Sequence, residues 1–322
     1  MILPGEDARA DRLAVNAGHT LTAKLYNPLM LDPATYRDLA RPPLVASLSN
    51  SWHGHMPFAR WLLLNWQPSV FVELGVWTGD SYLAFCDAVR RHNRSTRCFG
   101  IDTWEGDAHA GVLPAETYRK LAAYHNPRFG GFSTLRRERF ETAVATFGDG
   151  LIDLLHIDGL HTYEAVRRDF ETWQPKMSTS GLVLFHDACV HEGDFGVHRL
   201  WDELKNRHPS FLFQHSRGLG VLSVGAKPPE AIVWLTGLEG DTRREAHDTF
   251  AWLGATCAAH ALEPQSDQPD YEEDVGGEDP VALDERARER LHRLVGAQAQ
   301  VRNMQRTLSW RVTRPLRALR GG

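Results

Sequence analysis

Two acid-tipped runs dominate the hydrophobic pattern, DLLHIDGLHTYEAVRRDF at 153–170 and GLVLFHDAC at 181–189, downstream of a glycine-containing turn, FVELGVWTGDS at 71–81. Their strand portions are apolar at successive positions, as in strands buried on both faces of a parallel sheet. Around them the apolar spacing switches to that of helices, at about 56–67, in SYLAFCDAVRRH, in TYEAVRRDFETW and in HRLWDELKNRH. CFGIDTW at 98–104 reads as the strand after the first turn and ends at Asp102; residues 105–132 read as an insertion with a helix around ETYRKLAAYH, and FETAVATF as a further helix. FLFQHS and GLGVLSV close the series as a hairpin-like pair of strands. The pattern predicts an α/β, doubly wound, Rossmann-like sheet, mostly parallel with a terminal antiparallel strand. Ligands bind such sheets at the carboxyl ends of the strands, so Asp158 and Asp187 are expected to face one opening.

The flanks read differently. Residues 1–50 are proline-rich with little periodicity and form an N-terminal extension; 51–226 is the core; 227–262 reads as a small α/β appendage, a strand AIVWLTGL followed by a helix. Acidic residues among proline and glycine make 263–280 a linker. Residues 281–322 return to helical spacing, with Leu291, Leu294, Val301 and Leu308 near heptad intervals, and end in a tail bearing Arg311, Arg314, Arg317 and Arg320. Such a helix permits a homo-oligomer, and the tail at 309–322 permits peripheral contact with an anionic membrane.

With 322 residues, 42% of them hydrophobic, there is ample material for a core. The net charge of −5 supplies no overall basic field for nucleic acid. The first residues lack a basic region followed by an apolar segment, which predicts a cytoplasmic setting. Cys86, Cys98, Cys189 and Cys257 show no paired spacing and read as reduced thiols.

Gly75 and Gly79 lie between a strand and a helix, where the backbone can approach a ligand closely. They are four apart, which departs from the three-glycine spacing of dinucleotide sites, and Glu73 would repel a pyrophosphate and suit a ligand with a positive centre. Asp102, at the second strand's tip, is placed to accept from both hydroxyls of a ribose. Trp52, Trp77 and Trp104 are candidates to stack on a base or sugar, Trp104 first among them. His53 and His55 flank Gly54 and point to an acceptor pocket or cofactor entrance, and His156, inside a strand, to a hydrogen-bonded core position.

FVELGVWTGDS, GIDTW, LLHIDGLHTYEAVRRDFETW and GLVLFHDAC resemble class I S-adenosylmethionine-dependent methyltransferases. More narrowly, roughly 52–225 resembles the metal-dependent subgroup of macrolide-sugar O-methyltransferases and cephalosporin-hydroxylase-like proteins. The resemblance implies that Glu73, Gly75 and Gly79 contact the methionine moiety and Asp102 the ribose. It implies a divalent cation, Mg²⁺ or Mn²⁺, on Asp158 and Asp187, and His161 as general base. Where the macrolide-sugar enzymes carry a further acid, this chain has His186, which removes a negative charge: it either joins the cation, with weaker Mg²⁺ binding or a shift toward Mn²⁺, or stays outside the ligand set.

The expected activity is metal-assisted O-methyl transfer to a sugar hydroxyl of a glycan or glycosylated natural product. The alternative is a catalytically idle cofactor-binding scaffold in a glycan-assembly complex. No His-carboxylate-His triad for non-haem iron is evident along the chain.

Overall fold

The computed structural model describes residues 33–44, 51–92 and 95–261. Seven strands form one sheet: β1 (Val70–Leu74), β2 (Arg97–Asp102), β5 (Ser133–Arg137), β6 (Ile152–Ile157), β7 (Met177–His186), β8 (Ser210–Phe213) and β9 (Leu219–Ser223). Their order is β5-β2-β1-β6-β7-β9-β8. β5, β2, β1, β6 and β7 are parallel, whereas β9 runs antiparallel to β7 and β8. The expected doubly wound, mostly parallel sheet forms, with its antiparallel strand, β9, near one end.

Helices α1 (Pro33–Leu39), α2 (Met56–Asn65), α3 (Asp80–Arg91), α4 (Ala115–Phe129), α5 (Phe140–Ala143), α6 (Tyr163–Trp173), α7 (Val197–Leu204), α8 (Glu230–Thr236) and α9 (Gly240–Ala261) complete the fold. Two hydrophobic clusters cover the sheet faces. One joins α2, α3, α8 and α9 with Phe71, Leu184 and Phe213; the other joins α6 and α7 with Val72, Leu155 and Val183. The alternation of partners along β1 and β6 explains why these strands are apolar at nearly every position.

Three expectations change. Ser133–Arg137 is an edge strand beside β2 that the sequence reading passed over, because STLRR has charge where a buried strand would be apolar. AIVWLTGL is a helix rather than a strand: Ala231, Ile232 and Leu235 share one buried face while Val233 is exposed, which is helical spacing. The segment 227–262 is therefore not an α/β appendage; its described residues form α8 and α9, whose Phe250, Leu253 and Cys257 enter the same cluster as Trp61 and Leu62. The linker at 263–280, the helix and tail at 281–322, and most of 1–50 lie outside the described residues.

Within the extension, 33–44 is pinned by Arg60. Its buried guanidinium donates to the carbonyls of Leu39, Arg41 and Pro42 at 2.8, 2.7 and 3.2 Å. Among the described residues, no helix is long and apolar enough to cross a membrane.

Candidate active site

β1 and β6 are neighbours, but the chain continues outward to β2 on one side and β7 on the other, so a crevice opens at their carboxyl ends. Its volume is about 530 Å³, within the range of small-molecule sites. Gly75 makes this switch point. It has φ +88°, and a Cβ there would lie 2.1 Å from the carbonyl oxygen of Asp158, so the tips of β1 and β6 approach as closely as backbones allow.

Asp102 ties down the same turn. Val76 and Trp77 N–H groups donate to its Oδ2 at 2.9 Å each, and Trp104 N–H donates to Oδ1 at 2.7 Å. A carboxylate accepts about four hydrogen bonds. This arrangement therefore leaves capacity for one ribose hydroxyl, rather than the two expected.

Gly75, Asp102, Asp158, His161, His186 and Asp187 all line the crevice; Glu73, Gly79 and Trp104 do not. Glu73 is fully buried beneath it, accepts from Ser81 Oγ at 2.7 Å and lies 3.1 Å from His156 Nδ1. Burial raises its carboxyl pKa against the opposing effect of His156 and Ser81. Glu73 reaches the crevice only through Ser81, which lines it. Gly79, at φ +93°, precedes α3 and packs toward Leu121.

The expectation for Trp104 is corrected. It is 1% exposed, packs its ring on Tyr118, and gives its indole N–H to the carbonyl of Trp77. Trp77, 41% exposed and lining the crevice, is the ring free to meet a ligand. His53 and His55 are likewise corrected: both are buried outside the crevice, His55 against His215 and His186 with Nε2 3.1 Å from the carbonyl of Ser216. Burial, together with His215 and His186, holds the His55 pKa well below its usual value. His156 is the core histidine expected, accepting from Trp52 Nε1 at 3.3 Å.

The tips of β6 and β7 bring a charged cluster together. Asp158 Oδ1 is 3.1 Å from both His161 Nε2 and His186 Nδ1, and Asp187 Oδ2 is 3.2 Å from His161 Nε2. Burial disfavours charge on Asp158, yet His186 and His161 hold its pKa well below the carboxylate range. Burial would lower the pKa of His186, but Asp158 and Asp187 outweigh it and lift it to about 9. Arg217 grips Asp187 in two-pronged fashion, Nε to Oδ1 at 2.6 Å and NH2 to Oδ2 at 3.2 Å.

Arg217 was not foreseen. It sits 30 residues from its partner on the turn before β9, where Ser216, Arg217 and Gly218 all have positive φ. It neutralises Asp187, one of the three residues, with Asp158 and His186, expected at a cation. Asp158, His161 and His186 bring one ligand atom each within 4.8 Å of the others. This His-carboxylate-His set, absent from the linear reading, arises because β6 and β7 pair in register. One oxygen and two nitrogens fit Mn²⁺ and other transition ions better than Mg²⁺.

Beyond the cluster, Phe195 stacks on His161 and on His109, with interplanar angles of 11° and 10°. His109 belongs to a small hairpin in which β3 (Gly106–Asp107) pairs with β4 (Gly111–Val112), and Asp194 fixes its Nε2 at 2.7 Å. The hairpin and the Phe195 loop wall the crevice on the side of His161.

An uncharacterized protein of Sinorhizobium fredii is 39% identical over 238 residues, which is 73% of this chain and 24% of the relative. The chain thus spans about a quarter of that relative's length. Among solved structures, a methyltransferase from Geobacter sulfurreducens is 19% identical with a TM-score of 0.38, covering 70% of this chain and 93% of its own. The O-methyltransferase TomG from Streptomyces achromogenes, solved with S-adenosylmethionine, is 14% identical with a TM-score of 0.40, covering 64% and 96%. The O-methyltransferase NovP is 16% identical with a TM-score of 0.44, covering 60% and 97%. Residues 72–188, which hold the glycine turn, Asp102 and the Asp158–His186 cluster, match the model of a family described as a methyltransferase domain.

Proposed function

We propose that the crevice binds S-adenosylmethionine and that the chain transfers its methyl group to a hydroxyl. The observation that carries this reading is the glycine turn at the sheet's switch point, held by an acid on the neighbouring strand tip, beside a histidine poised between two carboxylates. The cofactor supplies an electrophilic methyl on a sulfonium. Trp77 and Asp102 position its nucleoside, and Gly75 lets it lie against the backbone.

The acceptor hydroxyl must lose its proton as the new C–O bond forms. His161 is the residue that takes it. With Nε2–H directed at Asp158 and Asp187, Nδ1 carries the lone pair; this nitrogen is buried without a hydrogen-bond partner among the described residues, so the acceptor reaches it only as the side chains beside the ring give way. A neutral imidazole has a single lone pair, so this role excludes His161 from a cation's coordination. Asp158 and His186, the latter after giving up the proton that its pKa of about 9 keeps at neutrality, are then the residues that would hold a divalent ion, Mn²⁺ in preference to Mg²⁺; when bound, such an ion would acidify the acceptor hydroxyl.

The acceptor proposed is a sugar hydroxyl of a glycan or glycosylated natural product. Support comes from the polar and aromatic wall of His109, Phe195 and Arg217. The intact cluster argues against an idle scaffold.

Calorimetric titration with S-adenosylmethionine, with and without Mn²⁺ or Mg²⁺, tests the cofactor: micromolar binding, weakened in Asp102→Ala, is expected. His161→Ala should keep that binding while lowering methyl transfer by about 10²-fold or more. Absence of cofactor binding under every metal condition overturns the reading.

A further inference from the structure

Asp187 and Arg217 meet in a conformation that neither would adopt alone. Asp187 has φ +59°, Ser216 +48° and Arg217 +68°, the left-handed region, where a residue with a side chain persists only if its surroundings impose it. The backbones of the two turns impose it on each other. Ala188 N–H donates to the carbonyl of Gly218 at 3.3 Å, and Cys189 N–H to that of Arg217 at 2.9 Å. Phe195 lies against the guanidinium, whose central carbon is 5.4 Å from the ring centre. The fold therefore aims this arginine at Asp187; it is no mobile surface cation settled on the nearest acid.

The fork leaves Asp187 little to offer an ion. Its Oδ1 meets Arg217 Nε at 2.6 Å and His186 Nδ1 at 3.4 Å, and its Oδ2 meets Arg217 Nη2 at 3.2 Å and His161 Nε2 at 3.2 Å. A carboxylate has about four lone-pair positions, and these four contacts occupy them. Asp158 differs. Its contacts with His161 and His186 both fall on Oδ1, and among the described residues it has no arginine or lysine partner. Its second oxygen keeps lone pairs for a cation.

We propose that Arg217 is a built-in competitor of the divalent cation: it keeps the ion off Asp187 and confines it to Asp158 and His186. This inference rests on the cation site assigned above, and it adds the residue that governs how tightly that site is loaded. Two protein ligands leave most of an ion's positions to water or acceptor, and a fixed guanidinium beside them opposes the ion's charge. Without Arg217, the carboxylate of Asp187, next in the chain to His186, is free to join, and oxygen donors suit both Mn²⁺ and Mg²⁺. The native chain thus holds its ion weakly and exchanges it readily.

The experiment is calorimetric titration of the full chain with manganese chloride for wild type, Arg217→Met and Arg217→Gln, at about pH 8 to limit competition from the His186 proton. Removing the guanidinium should tighten Mn²⁺ binding by about tenfold or more, and the double variant Arg217→Met/Asp187→Asn, with no carboxylate to release, should return to within about threefold of wild type. Arg217→Gln keeps one neutral donor for Asp187 and so carries the test should Arg217→Met fail to fold. Electron spin resonance in isotopically labelled water counts the waters on the ion, which should be fewer in Arg217→Met than in wild type because a carboxylate has replaced them. The inference is overturned if removing Arg217 leaves the affinity unchanged or lower, if the double variant keeps the gain, if tighter binding displaces no water, or if neither wild type nor variants bind Mn²⁺. S-adenosylhomocysteine titrated in parallel separates the two readings. Binding of that ligand without a gain in Mn²⁺ affinity overturns only the role of Arg217, and a gain without such binding overturns only the cofactor.

Discussion

Replacement of Gly75 by alanine tests the geometry on which the crevice depends. Two costs add at this residue. Its φ of +88° is left-handed, which costs an alanine about 1–2 kcal/mol. The new Cβ would also stand 2.1 Å from the Asp158 carbonyl oxygen, 2.6 Å from its carbon and 2.9 Å from the Gly159 nitrogen. These are backbone atoms of the β6 tip and cannot swing aside, so β1 and β6 must separate by roughly an ångström, adding about 1–3 kcal/mol. The expected loss is roughly 3 kcal/mol in urea unfolding, accompanied by loss of cofactor binding, because Asp158 moves with the strand. Gly150 supplies the control. It has φ +69° but nothing within 4 Å of its Cβ position, so Gly150→Ala should pay only the backbone cost and bind ligand normally. If the two variants lose equal stability and both retain binding, the close approach of the two strand tips is refuted.

Other predictions concern burial and charge. Burial depresses the His215 pKa to about 4, so the folded state holds fewer protons than the unfolded state between that value and about 6.5. Stability from this group is present above about pH 6.5 and is lost as pH falls through about 4, by about 3 kcal/mol; unfolding measured from pH 4 to 8 should show a shallower acid limb in His215→Gln. Arg60→Met should cost about 3 kcal/mol, by leaving the carbonyls of Leu39, Arg41 and Pro42 unpaired, and should expose 33–44 to limited proteolysis. The two tryptophans separate cleanly: Trp104→Ala should lower stability by about 3–5 kcal/mol. Trp77→Ala should leave stability nearly unchanged and weaken cofactor binding about tenfold; equal effects on stability would contradict their placement.

Much of the architecture was legible because burial on both faces leaves a local trace. β1, β6 and β7 announce themselves as short apolar runs, and the helices between them by their spacing. β5 left no such trace, since an edge strand tolerates Arg136 and Arg137. AIVWLTGL misled because its apolar residues are consecutive, and only the packing of Ala231, Ile232 and Leu235 against the core reveals a helix.

The candidate site divides along the same line. The sequence by itself determined that Gly75, Asp102, Asp158, His161, His186 and Asp187 stand at strand ends or just beyond them, because chain order along a βα unit dictates which residues reach the carboxyl edge. Only the tertiary structure decided how they pair. Arg217 neutralises Asp187 across 30 residues, His186 turns toward Asp158, Trp104 is buried while Trp77 stays open, and Asp169 is left without a partner at the end of the crevice. Hydrophobic patterning specifies which face of an element is buried, whereas the partner of a polar group depends on strand register and loop closure, which bring together residues distant in the chain.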